Sequence, residues 1–293
     1  MGLISSVING ILMGGVYALL ALGLTLIFGI MKIINFSHGS LLMLGMILTY
    51  WLWRALGVDP YLLIVLVFPI MFALGYLIQR YIIRSVLVAE KDVREPVSAL
   101  LLTAGLAVAL ENLALMVFGA DYLMAKTSYS GSTLNIFGLL VSISRLYAFI
   151  TTLVITFLFF QFLTKTELGR AMRATGQDRG AAMLMGINVT KVYSVAFGLG
   201  TALSGVAGLV LIPFYYAHPS VGQVFMTKAF IIVVLGGLGS VPGALVGGLI
   251  IGLMESVAAQ YMTATWTAIL VYFTFLAVLL LKPSGLFGSR YEW

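Results

Sequence analysis

Glu111, Glu255, Lys228 and His38 are the side chains that could do ion or acid–base chemistry inside otherwise apolar stretches of this sequence. An ionised group at the centre of a membrane helix costs roughly 2.5–3.5 kcal/mol on insertion scales, so it turns inward and takes a partner. Glu111 and Glu255 are therefore expected to be hydrogen-bonded or charge-paired, with Lys228, near the outer end of its span, as the available cation. A proton relay would need such groups in a chain across the bilayer. Two scattered carboxylates and two distant histidines, His38 and His218, make a poor one. Asn35, Ser37 and His38 either hydrogen-bond between helices or face a passage. No constellation for covalent chemistry is present. The sequence has no cysteine, hence no thiol nucleophile and no Cys-ligated metal. It has no paired-carboxylate site, no assembled Ser-His-Asp set, no metal cluster and no G-x-x-x-x-G-K-[ST] phosphate loop. The chain is expected not to be an enzyme and to hold no cofactor.

These groups sit in a very apolar chain of 293 residues, 61% hydrophobic and only 9% charged. A soluble domain carries about 25% charged residues. Too little polar surface remains to coat a water-soluble globule. The apolar runs are long and unbroken, unlike the short alternating segments of a membrane β-barrel. The expected fold is therefore all-α: a polytopic transmembrane bundle of about eight to nine spans, one unit over 1–293. The spans are 4–30, 38–54, 60–82, 98–118, 144–163, 191–213, a divided pair 227–239 and 243–260, and 264–281. The first six residues lack a basic region and a clear cleavage site, and are expected to begin a retained helix.

Basic residues orient the bundle. Arg80, Arg84, Lys91 and Arg94 lie in 80–95; Lys165, Arg170, Arg173, Arg179 and Lys191 lie in 164–191. Together they are nine of the 16 Lys and Arg residues, and the positive-inside rule places both stretches in the cytoplasm. The connections 55–59, 119–143 and 214–226 hold one basic residue, Lys126, and fit the outside. Lys282 and Arg290 put the C-terminus inside. Nine crossings then place the N-terminus outside; eight, with the divided pair as one broken helix, would reverse it. The net charge of +6 thus reads as orientation, not as a nucleic-acid surface. Tyr50, Trp51, Trp53 and Tyr61, then Tyr261 and Trp266, bracket two outer turns and suit either the headgroup level or packing within the bundle.

Two places interrupt apolar runs without a charged loop: Lys32-Ile33-Ile34-Asn35-Phe36-Ser37-His38-Gly39, and Leu235-Gly236-Gly237-Leu238-Gly239-Ser240-Val241-Pro242-Gly243-Ala244. Unwound backbone at membrane depth is tolerated only within protein or beside water, and discontinuous helices often line transport sites. Asn35, Ser37, His38, Gly39, Gly236, Gly237, Gly239, Ser240 and Pro242 are therefore candidates for a translocation path. The two segments are expected to be halves of a weak internal repeat. Most other glycines fit close helix packing.

The segment 164–190 is more polar than its neighbours. Leu168, Ala171 and Met172, then Ala181, Leu184 and Met185, fall at i, i+3, i+4 and predict two short amphipathic helices, the second stopped by Gly186. Such helices suit a groove on a cytoplasmic partner; lying on membrane lipid is the other reading.

Three blocks, in order, resemble the LivH type of branched-chain amino acid ABC transporter permease. They are Gly23-Leu24-Thr25-Leu26-Ile27-Phe28-Gly29 through His38-Gly39, Gly169-Arg170-Ala171-Met172-Arg173-Ala174 through Gly186-Ile187-Asn188, and Ala229-Phe230 through Gly243-Ala244. The resemblance implies a multi-pass permease of the bacterial inner membrane. It would work with a second, related permease, two ATP-binding subunits that hold ATP and magnesium, and a periplasmic substrate-binding protein. Gly169, Arg170, Arg173, Ala174, Asp178, Ala181 and Gly186 would contact the ATP-binding subunits. Gln177 and Met183 depart from the family pattern. The family also includes permeases for urea, short amides and aromatic acids, which these blocks do not separate; an ion-coupled secondary transporter is the reading from another class.

Overall fold

The computed structural model describes residues 2–89, 97–136 and 139–288. Lys91, Arg94 and Arg290 lie outside the described residues. The elements are α1 (Gly2–Met31), α2 (His38–Leu56), α3 (Ile64–Ile78), α4 (Arg84–Ala89), α5 (Val97–Phe118), a hairpin of β1 (Thr133–Ile136) and β2 (Leu139–Ser142), α6 (Ile143–Lys165), α7 (Glu167–Gln177), α8 (Arg179–Leu184), α9 (Val189–Leu211), α10 (Val221–Gly236), α11 (Val241–Tyr261) and α12 (Ala264–Leu281). Eight of the described helices are long and apolar enough to cross a bilayer. A π turn at Gln79–Ile83 carries α3 into α4. There the buried Gln79 carboxamide accepts a hydrogen bond from Ser194 of α9, which explains how a polar side chain is held in that span.

The core lies where α1 and α9 cross. Both are enclosed by protein along most of their length. α1 packs along α11, and α9 along α3. Small residues make the first seam: a Cβ on Gly14 would lie 2.9 Å from the Leu249 Cα, and one on Gly248 would lie 2.6 Å from the Ala18 Cα. In lipid, helices gain by such backbone approach rather than by the hydrophobic effect. The outer helices α5 and α12 expose mostly apolar side chains.

α1–α2–α3 and α9–α10–α11 have the same plan in opposite directions: long core helix, non-helical linker, shorter helix, return helix. α1 ends where Lys32 takes a positive φ of 57°, and residues 32–37 run back to the start of α2. α9 ends at Leu211, and residues 212–220 run to the start of α10. The expected repeat therefore exists with a different partner. The break at 32–37 matches 212–220, not 236–242. The sequence pointed to the glycine-rich stretch because Pro213, His218 and Pro219 read as an ordinary outer loop.

Residues 237–240 form a tight turn between α10 and α11 at one end of the bundle, not a break at membrane depth. Gly237 and Gly239 take positive φ of 102° and 85°, which glycine alone adopts without strain. Gly239 packs on Gly29 near the end of α1. Leu286 N and Phe287 N donate to the Leu235 and Gly236 carbonyls at 2.8 and 3.0 Å, and Ser240 caps α11 by accepting from Gly243 N at 3.1 Å. Gly236, Gly237, Gly239, Ser240 and Pro242 thus sit together at that end. Counting the linker with α10, which is 16 residues long or about 24 Å, the described residues pass through the bundle nine times. Gly2 approaches Gln260 at the end opposite Gly29, so the nine-crossing arrangement holds, with the N-terminus on the side away from α7 and α8.

Candidate translocation and coupling sites

The two interrupted helices begin against each other. A Cβ on Gly222 would lie 2.8 Å from the Gly39 carbonyl, and one on Gly39 would collide with the Gly222 carbonyl oxygen. Gly23 of α1 and Gly200 of α9 approach likewise: a Cβ on either would lie 2.6–2.8 Å from the other's carbonyl oxygen. This crossing is near mid-bundle, because His38 Nε2 lies 3.0 Å from the Leu20 carbonyl oxygen in the middle of α1.

Each start is tied in the same way. Asn35 Oδ1 accepts from Ser37 N at 3.1 Å and Ser37 Oγ at 2.6 Å, and His38 N donates to Asn35 O at 3.2 Å. In the second half, His218 Nδ1 accepts from Ser220 N at 3.2 Å and meets Ser220 Oγ at 2.8 Å, and Val221 N donates to His218 O at 2.9 Å. The serines that precede the two helices share one backbone conformation, φ −75°, ψ −1° at Ser37 and φ −86°, ψ −3° at Ser220. Asn35, Ser37 and His38 are fully buried; Ser204 Oγ donates to His38 O at 2.9 Å.

Glu111 of α5 reaches both starts. It accepts from Ser40 Oγ at 3.2 Å and from Gln223 Nε2 at 3.0 Å. Ser40 and Gln223 are each the third residue of their helices, so the carboxylate sits by two positive helix ends. Lys228 is not its partner. Lys228 Nζ pairs with Glu255 Oε1 at 2.5 Å and donates to the Tyr17 hydroxyl at 2.8 Å. Lys228 lies nearer the middle of the bundle than its expected place at an outer end, because α10 begins six residues earlier than the span drawn from hydropathy. Gln223, Thr227 and Ser40 were not singled out by sequence: each is an ordinary polar residue until the fold places it at mid-bundle. The signal that could have found Gln223 is its place four residues after Pro219, at a helix start.

At the end marked by Gly29, α6 turns sharply into α7. Thr166 caps α7 by accepting from Gly169 N at 3.0 Å, and a Cβ on Gly169 would lie 2.5 Å from the Phe162 and Leu163 carbonyl oxygens. Met172 is buried beneath α7, and Gly176 packs on the Gly29 carbonyl, 2.7 Å from a Cβ built there. Asp178 caps α8 by accepting from Ala181 N at 2.9 Å. Gly186, φ 80°, ends it. Arg170, Arg173, Asp178, Ala181 and Gly186 face outward, and Ala174 is half-buried. Leu184 and Met185 are 90% and 83% exposed.

Inverted halves, interrupted helices meeting at mid-bundle and a helical shelf at one end define a multi-pass membrane permease. The chain belongs to the family described as branched-chain amino acid transport system / permease component, which matches residues 6–279. It is 32% identical over 298 residues to the high-affinity branched-chain amino acid transport system permease protein LivH of Salmonella typhimurium, covering 96% of this chain and 94% of that one. BraD of Pseudomonas aeruginosa, a permease protein of the same description, is 29% identical, covering 97% and 95%. A ribose import permease, RbsC of Bacillus subtilis, is 35% identical over 113 residues, 36% of this chain and 35% of its own. No solved structure matches the chain. The permease is a multi-pass protein of the bacterial inner membrane and one component of a transport system.

Proposed function

We propose that this chain is the membrane subunit of an ATP-driven importer of branched-chain amino acids. It works with a second permease, two ATP-binding subunits that hold ATP and magnesium, and a binding protein that delivers the solute. Two similarities support the solute: the description of the family and the names of the full-length relatives. The chain itself performs no covalent chemistry. Its task is to expose a passage first to one side and then to the other.

The observation that carries the motor-driven reading is the shelf of α7 and α8. A contiguous exposed apolar patch rimmed by polar residues marks an interaction site. Met183, Leu184 and Met185 form such a patch at the end of α8, and Arg170, Arg173 and Arg179 of the same two helices are exposed. An ATP-binding subunit docked there pushes on α7. Through Gly176, α7 bears on Gly29 of α1, and Gly29 bears on the Gly239 turn between α10 and α11. A displacement at the shelf thus reaches both inverted halves through backbone contacts that cannot compress.

Arg173→Glu is the clean test, because Arg173 is exposed and touches no packing seam. Gly169 is unsuitable, since any side chain there breaks the α6–α7 corner. In proteoliposomes holding the whole assembly, Arg173→Glu is expected to cut ATP-dependent leucine uptake about tenfold or more, the loss typical of reversing a charge at a docked surface, while the subunit still inserts. Uptake at the wild-type rate, or solute accumulation by this chain without companions, would sink the reading.

A further inference from the structure

We propose that the α10 face bearing Gln223, Thr227 and Lys228 lines a watered passage shared with the second permease, and that Lys228 and Glu255 separate there to hold the carboxylate and the ammonium of a zwitterionic α-amino acid. The inference rests on the importer reading and gives it a solute contact.

Exposure at membrane depth supports the first half. Gln223 and Thr227 are exposed and stand four residues apart, one above the other on α10. Lys228 and Glu255 are 23% and 30% exposed. Lipid is a poor neighbour for uncovered amide and charged groups. This face therefore meets protein and water, whereas the apolar outer faces of α5 and α12 meet lipid. Glu111 stands beside the same face, but its oxygens are engaged by Ser40 and Gln223.

Charge and geometry support the second half. One ammonium and one carboxylate in contact mirror the two ends of a zwitterion. Lys228 has three N–H donors, of which Glu255 and Tyr17 take two. Glu255 Oε2 is enclosed with no hydrogen-bond partner. Lys228 thus has a donor to spare, while the Glu255 carboxylate, which also lies beside the Tyr17 hydroxyl, is offered to a solute only as the pair opens. Val224, half exposed, stands one turn from Lys228 and offers apolar surface for an aliphatic side chain. When the pair opens, the solute's carboxylate replaces Glu255 at Lys228 and its ammonium replaces Lys228 at Glu255. The number of ion contacts is conserved. Such an exchange is close to balanced in free energy, so the solute is recognised without being trapped, as passage through a carrier requires. A solute with only one charged end leaves one member of this partly enclosed pair without a partner, so it does not complete the exchange.

The absence of cysteine makes the face directly testable. Thr227→Cys introduces the chain's one thiol. In the whole assembly, in proteoliposomes, a small charged methanethiosulfonate reagent is expected to modify it, read by mass of this chain. Leucine is expected to slow modification several-fold, and neither 3-methylbutylamine nor 4-methylpentanoate, at equal concentration, is expected to do so. No modification in an active assembly overturns the watered face; equal protection by either half-molecule overturns the zwitterion contact. In a second arm, Lys228→Met with Glu255→Leu removes both charges at once. A structural pair tolerates that replacement. A solute contact does not, and uptake is expected to fall about tenfold or more with ATPase activity retained. Uptake within about twofold of wild type in that variant overturns the proposal, and if it does not assemble the thiol arm decides alone. Wild-type ATP-dependent leucine uptake in the same vesicles tests the importer reading separately.

Discussion

The starts of α2 and α10 are built to one plan and put to different use. Both follow a serine in the same conformation, both tie that serine to a side chain two residues earlier, and both bring a glycine to the point where the halves meet. At the first start Asn35, Ser37, His38 and Ser40 are all buried, and the His38 ring runs back to the Leu20 carbonyl. At the second, Ser220 and Gln223 are exposed, and the His218 ring stacks on Tyr122 at 4.7 Å. The repeat supplies geometry twice. Surroundings then make one copy an anchor in the core and leave the other open on a polar face. Equivalent residues in the two copies should therefore differ in what their loss disturbs.

The largest effect is expected where the copies touch. Gly39→Val places two methyl groups against the Gly222 backbone, which is itself packed. Gly222→Val meets Gly39 and Ser40 in the same way. Overpacking a tight core costs about 1–3 kcal/mol and more where backbone is the obstacle. Both variants are expected to lose most folded protein in the membrane, measured by detergent-extracted yield and size-exclusion profile. If one is tolerated, the two starts are less equivalent than their hydrogen bonds indicate.

The next effect separates the copies. His38→Leu removes the ring that reaches Leu20 from a fully enclosed position, at an expected cost of about 2–3 kcal/mol. His218→Leu removes the acceptor of Ser220 N and a ring stack at a half-buried position, for about 1 kcal/mol. Apparent melting temperatures at one scan rate in detergent give the ranking; equal losses would erase the distinction between anchor and open face.

The fold class and the 166–188 helices were legible because both follow from local pattern: long apolar runs, and i, i+3, i+4 spacing closed by a cap and a glycine. Asn35-Ser37-His38-Gly39 was legible as a break because polar groups interrupt a run. Its counterpart was not. His218, Pro219 and Ser220 lie beside an outer loop rich in such residues, and nothing local says that the chain dips back between α9 and α10. The glycines at 236–243 misled for the opposite reason. They look like a break at depth, but a tight turn between antiparallel helices needs the same residues. The partner of Glu111 was beyond reach too, since Ser40 and Gln223 meet only through the crossing of the two halves. The Lys228–Glu255 pair was half legible: the need for a partner follows from burial, but the choice between two carboxylates belongs to tertiary structure.

The smallest effect is the most specific to the comparison. Ser37→Ala and Ser220→Ala remove the same hydroxyl from the same backbone conformation, so any propensity difference cancels. In the buried copy the loss leaves Asn35 Oδ1 with one donor instead of two, in a place water does not reach; the expected cost is about 1–2 kcal/mol. In the exposed copy water takes the hydroxyl's place at His218 Nδ1, and the expected cost is a few tenths of a kcal/mol. The ratio of the two shifts in apparent melting temperature therefore measures how wet the α10 start is relative to the α2 start. It needs no solute and no partner subunit. A ratio near one would mean that both starts are dry, and that the polar face of α10 is covered by protein rather than water.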